Sequence, residues 1–122
     1  MALPADAEKL LRGAASAASD ALAENIVAID VTGTLPFSDA FLIVTADNPR
    51  HLRGVMNAVS RDLHEKAGVS PRSIEGDEGA EWVLMDYGDI VIHVFLPETR
   101  DFYALDKLWG ASPRVDLAAL VD

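Results

Sequence analysis

Glu81-Trp82-Val83-Leu84-Met85-Asp86-Tyr87-Gly88-Asp89-Ile90-Val91-Ile92-His93-Val94-Phe95 decides the fold. Two runs of β-branched, aromatic and aliphatic residues flank a Gly-Asp step, and glycine supplies the positive φ that a tight primed hairpin turn requires. With Gly88 and Asp89 in the bend, Tyr87 lies opposite Ile90, Met85 opposite Ile92 and Val83 opposite Val94. Those six side chains make one nearly pure apolar face, suited to packing on helices. The other face is mixed. It pairs Trp82 with Phe95, Leu84 with His93 and Asp86 with Val91, so aromatic area lies beside a carboxylate and an imidazole.

The chain around this hairpin has 122 residues, half of them hydrophobic, which is enough for one core and one domain. There is no cysteine, and the three histidines, His51, His64 and His93, are far apart in sequence, so neither disulfides nor a thiolate zinc site is expected. No cofactor is implied. No apolar run reaches the roughly 20 residues of a membrane span, and Asp6 and Glu8 stand where a targeting peptide would be basic, so a cytoplasmic location is expected. A formal net charge of −10 disfavours nucleic acid as the main contact and favours a basic protein partner. Between Glu75 and Asp106 the single basic side chain is Arg100, so the hairpin and its flanks form the acidic pole. Such a pole is either a solvated surface that keeps the chain soluble or the complement of a basic partner.

Upstream of the hairpin, Asp6 to Glu24 is alanine-rich and free of proline and β-branched residues, which predicts a helix ended by Asn25. Its stripe of Leu11, Ala14, Ala18, Ala21 and Leu22 is thin and suits close packing. Ile26–Val31 reads as a strand, Thr32–Asp39 as a loop and Ala40–Thr45 as a second strand. Asn48-Pro49 is a helix start, because Asn48 caps free N–H groups and Pro49 has none to lose. Leu52, Val55, Met56, Val59 and Leu63 recur at helical spacing up to a stop at Gly68. Arg50, His51, Arg53 and Arg61 give that helix a modestly basic outer side. Ser73-Ile74-Glu75 reads as a short edge strand before a Gly76-Asp77-Glu78-Gly79 turn. After the hairpin, Pro97 opens a last short helix, with Phe102, Leu105 and Trp109 assigned to packing and Gly110 as its end. The expected order is α-β-β-α-β-β-β-α, an α/β (α+β) domain over residues 1–110 with a mixed sheet of about five strands. Residues 111–122 form a C-terminal tail, or a strand or turn that docks.

Catalytic signatures are sparse. The strand-to-helix turn Thr45–Pro49 has no glycine and cannot be a phosphate loop, and no serine sits in a Gly-flanked nucleophile elbow. Asp86 with Asp89 is the one candidate pair for divalent-metal phosphoryl or nucleotidyl transfer, although a tight turn points the two apart. His93 has no carboxylate placed by sequence to orient it as a base.

The run Trp82–Phe95, followed by Glu98, Arg100, Phe102-Tyr103, Leu105 and Leu108-Trp109, resembles the signature of the ribosomal silencing factor family, RsfS or Iojap-like. Ile29-Asp30-Val31, Ser38-Asp39, Thr45, Arg50-His51, Gly68 and Glu75-Gly76 extend the likeness over nearly the whole chain, with departures at Ala40 and at Ala46-Asp47-Asn48. The resemblance implies a nucleotidyltransferase-like fold without enzymatic activity. It implies binding to the large ribosomal subunit through ribosomal protein uL14, steric block of joining with the small subunit, and repression of translation when nutrients run short or in stationary phase. Trp82, Leu84, Asp86, His93 and Phe95 are then expected in or under the partner contact, with Tyr87 and Asp89 at its edge and Tyr103 as a further surface contact. Alternatively a helix covers the mixed face, Trp82 and Phe95 are core, and the partner meets loops. A metal-dependent transferase using Asp86 and Asp89 is the competing function, and a homodimer through a strand edge or the mixed face stays open.

Overall fold

The computed structural model describes residues 3–33, 38–76, 81–110 and 112–115, with the side chain of Asp106 excepted. The centre of the Thr32–Asp39 loop, most of the Gly76–Gly79 turn and the chain after Val115 lie outside the described residues. The elements run α1 (Ala5–Asp20), β1 (Glu24–Asp30), β2 (Ala40–Thr45), α2 (Pro49–Ala67), β3 (Ser73–Glu75), β4 (Trp82–Asp86), β5 (Ile90–Phe95), α3 (Pro97–Tyr103), α4 (Leu105–Leu108) and β6 (Arg114–Val115).

Six strands form one mixed sheet in the order β3-β4-β5-β2-β1-β6, in which β2 and β5 are parallel and every other pair is antiparallel. The hairpin register is the one its turn dictates: Trp82 opposes Phe95, Val83 Val94, Leu84 His93, Met85 Ile92 and Asp86 Val91. Gly88 adopts φ +84°, the Asp89 N–H returns to the Tyr87 carbonyl at 3.1 Å, and Asp86 Oδ1 accepts the Gly88 N–H at 2.7 Å. The carboxylate of Asp86 therefore braces the turn.

Strand alternation sorts the side chains into two cores. On one face Leu42, Val44, Val83, Met85, Ile90, Ile92 and Val94 pack against α1 and α2. The helix α2 keeps its predicted bounds because both ends are capped: Asn48 accepts the His51 N–H at 2.9 Å, and Gly68 turns left-handed at φ +67°. Small residues let α1 approach closely; a Cβ on Gly13 would stand 3.1 Å from Leu63 Cδ2. The first helix ends earlier than its composition suggests. Leu22, placed in its apolar stripe, instead takes φ +68° and is 75% exposed, because the Ala23 N–H folds back to the Ala18 carbonyl and closes the helix without any glycine. His51 then links the two helices. Its Nδ1 lies 2.9 Å from the Asp47 N–H and must accept, so Nε2 carries the proton and donates to the Ala21 carbonyl at 2.8 Å.

The opposite face holds Ile29, Val31, Phe41, Ile43, Val91 and Phe95, with Leu105 and Trp109 packed over them. The single predicted C-terminal helix is two, since Ala104 adopts φ +49° between α3 and α4. No residue of α3 is buried. It is held instead by Arg100, whose guanidinium donates to the Asn25 carbonyl and, at 2.8 Å, to Thr45 Oγ1.

Candidate interaction surface

The second core carries a continuous row of rings from the interior to the surface. Trp109 meets Phe41 edge to face at 5.3 Å between centroids, and Phe41 meets His93 at 4.9 Å and 70°. Trp82 lies 5.9 Å from His93, stacks on Phe95 at 4.9 Å and 22°, and meets Tyr103 at 4.8 Å. Tyr103 in turn touches Phe102 at 5.1 Å and 87°. Burial falls along the row. Phe95 and His93 are buried, Trp82 is half-buried, Tyr103 is 48% exposed and Phe102 is 81% exposed.

This gradient follows from how far the α3–α4 segment reaches. Every residue of β5 is buried on both faces, but in β4 only Val83 and Met85 are, so Trp82, Leu84 and Asp86 stand half-open at the limit of the cover. Around that limit Glu75, paired with Leu84, and Glu81 and Glu98, beside Phe102 and Tyr103, are exposed, and the surface is aromatic at its centre with carboxylates at its rim. Of the residues singled out from sequence, the structure brings Trp82, Leu84, Asp86 and Tyr103 to this surface and sets His93 and Phe95 beneath it. Tyr87, expected at the edge of the contact, faces the helices instead, because alternation groups it with Met85 and Val83; burial raises its hydroxyl pKa, with Ser60 opposing. Asp89 is exposed at the hairpin tip. It stands near Asp39, whose carboxyl is pushed up by burial and then by the charges of Asp89 and Asp30.

Phe102, assigned from sequence to packing, is exposed instead. The Asp86–Asp89 pair does not converge as a metal chelate, since Asp86 holds the Gly88 amide and Asp89 neighbours Asp39. Among the described residues no three His, Cys, Asp or Glu side chains gather as metal ligands.

The imidazole beneath the surface is neutral. Trp82 Nε1–H donates to His93 Nδ1 at 3.2 Å, and burial among rings pushes the His93 pKa down from 6.5 to about 4.

Residues 4–122 match the protein family described as ribosomal silencing factor during starvation, RsfS. The chain belongs to this family. It is 36% identical to ribosomal silencing factor RsfS of Bacillus subtilis strain 168 over 110 residues, covering 90% of this chain and 92% of that one. A crystal structure of a Chromobacterium violaceum protein, 36% identical, superposes with a TM-score of 0.79 over 83% of both chains. The mouse protein named mitochondrial assembly of ribosomal large subunit protein 1 is 37% identical over 89 residues, which cover 71% of this chain and 39% of that longer one. Family membership and the shared fold agree with the mixed sheet and helix order derived above.

Proposed function

We propose that this chain is a translation regulator that binds the large ribosomal subunit, meets ribosomal protein uL14 through the surface around Trp82, and blocks joining with the small subunit. The observation that carries this reading is the aromatic row that emerges at Trp82, Tyr103 and Phe102 inside a rim of carboxylates. Desolvated aromatic anchors with complementary charge around them are what a specific protein interface needs, and a chain of net charge −10 is steered toward a basic partner. The name of the bacterial relative points to the ribosome, and that of the mouse mitochondrial relative to its large subunit, as that partner. No chemistry is required. A domain seated on the joining surface excludes the small subunit by volume, and the cytoplasm, where subunits join, is its place of action. No described helix is long and apolar enough to cross a membrane.

Co-sedimentation with separated large and small subunits, followed by the joined fraction at permissive magnesium, tests the reading. Wild type should pellet with the large subunit and lower the joined fraction. Tyr103→Ala and Phe102→Ala, which remove exposed rings and leave both cores intact, should weaken pelleting by about tenfold between them. Wild type that pellets with neither subunit refutes the proposal; variants that bind as well as wild type move the contact elsewhere.

A further inference from the structure

The indole N–H of Trp82 is engaged inside the protein rather than offered to a partner. It donates to His93 Nδ1 at 3.2 Å, so the imidazole proton sits on Nε2. Nε2 is buried and has no hydrogen-bond partner among the described residues, and His93 is 4% exposed. Its surroundings are rings: Phe41 edge to face at 4.9 Å, Phe95 nearly parallel at 6.2 Å, and Trp82.

A packing role alone does not call for histidine here. A phenylalanine would complete the same row, with the same edge-to-face and stacked neighbours, and would leave no N–H orphaned in an apolar site. What imidazole adds is an acceptor for Trp82, and a neutral one, since burial keeps the lone pair on Nδ1 free at physiological pH. Resting on the docking surface proposed above, we infer that His93 is a positioning residue for it: by accepting the Trp82 N–H it fixes the indole and leaves the ring's carbon surface, not its donor, to the partner.

The chemistry of the partner group follows. With Trp82 stacked on Phe95 on one side and Tyr103 beside it, the remaining indole surface is apolar and Glu81 and Glu98 stand exposed near it. A lysine or arginine satisfies both features, laying its aliphatic stem or guanidinium on the rings while its charge meets the carboxylates. Holding the indole in one orientation before contact also removes the ordering cost that a free tryptophan would incur on binding.

The test uses the whole chain with 15N-labelled tryptophan and three substitutions. His93→Phe keeps a ring and removes the acceptor. His93→Leu is a second acceptor-free variant if the first does not fold. His93→Asn sets a carbonyl oxygen near the former Nδ1 position. The Trp82 indole signal is assigned by its loss in Trp82→Phe, which separates it from Trp109. Wild type should show a Trp82 indole N–H protected from exchange with water. The folded acceptor-free variant should lose that protection and pellet with the large subunit about tenfold less well, at a melting temperature no lower than wild type. His93→Asn should recover both protection and pelleting. A folded acceptor-free variant that binds like wild type overturns the positioning role and leaves the docking surface standing. Wild type that binds neither subunit overturns the docking reading and this inference together, even where the indole remains protected.

Discussion

Acidification should destabilise the wild-type protein through His93 by an amount that a single substitution isolates. In the folded chain the imidazole is enclosed by Phe41, Phe95 and Trp82 and is 4% exposed, and burial lowers its pKa from 6.5 to about 4. The unfolded chain takes up a proton near pH 6.5; the folded chain does not until about pH 4. Between those values the unfolded state binds more protons, so stability falls as pH falls through that window, and below it this group adds no further loss. A depression of this size corresponds to about 3 kcal/mol by pH 4 and roughly 2 kcal/mol by pH 5. His93→Phe lacks the titration, while the carboxylates titrate alike in both proteins, so the difference between the two cancels their contribution. Chemical denaturation followed by far-UV circular dichroism at pH 7, 6, 5 and 4 gives both stabilities. The stability of His93→Phe relative to wild type should grow by about 2–3 kcal/mol across that range, with most of the growth between pH 6 and 4. Because Nε2 already carries a proton, the added one lands on Nδ1 and opposes the Trp82 N–H, so the indole signal of the folded protein should shift with a midpoint near pH 4. Parallel stability curves for the two proteins would refute the claim that this imidazole is buried and neutral.

Three further perturbations have defined outcomes. Gly88→Ala forces a side chain into φ +84° with its Cβ 3.1 Å from Arg72 Cζ, and should lower stability by about 1–2 kcal/mol in denaturant unfolding. Asn48→Ala removes the acceptor of the His51 N–H at the start of α2 and should cost about 1 kcal/mol by the same assay. Arg100→Met removes the donor to the Asn25 carbonyl and Thr45 Oγ1, and should speed amide exchange across residues 97–103 while β2 and β5 keep their protection.

How much of this was legible in the sequence depended on where the controlling interactions were local. The hairpin register follows from a two-residue period and one Gly-Asp step, and the bounds of α2 follow from Asn48, Pro49 and Gly68, all of which act within a turn of their own position. The end of α1 and the break between α3 and α4 were hidden because Leu22 and Ala104 take left-handed conformations that neither residue prefers. Backbone bonds and docking impose them, and neither leaves a mark in composition. The sixth strand stayed one of three readings of residues 111–122 for a related reason: the stretch Arg114–Val115 is two residues long, and only its pairing with Ile29 and Ala28 makes it a strand.

The candidate surface divides in the same way. Alternation along β4 and β5 already separated Trp82, Leu84 and Asp86 from the helix-facing residues, but which of them stays open is set by the path of α3 and α4. That segment meets the sheet through Tyr103 at Trp82 and through Trp109 at Phe41, and it leaves Leu84 and Asp86 of β4 half-open. Trp82 consequently serves both the core, through Phe95 and His93, and the surface, through its open side. Truncating Trp82 would mix a loss of packing with a loss of binding and would not separate them. Tyr103 and Phe102 stand beyond the edge of the core, so a binding defect there with unchanged stability belongs to the surface alone. The decisive comparison is between those two rings and His93, which is buried beneath them: parallel loss of binding at both would show that the order beneath the surface, and not only its exposed area, sets the affinity.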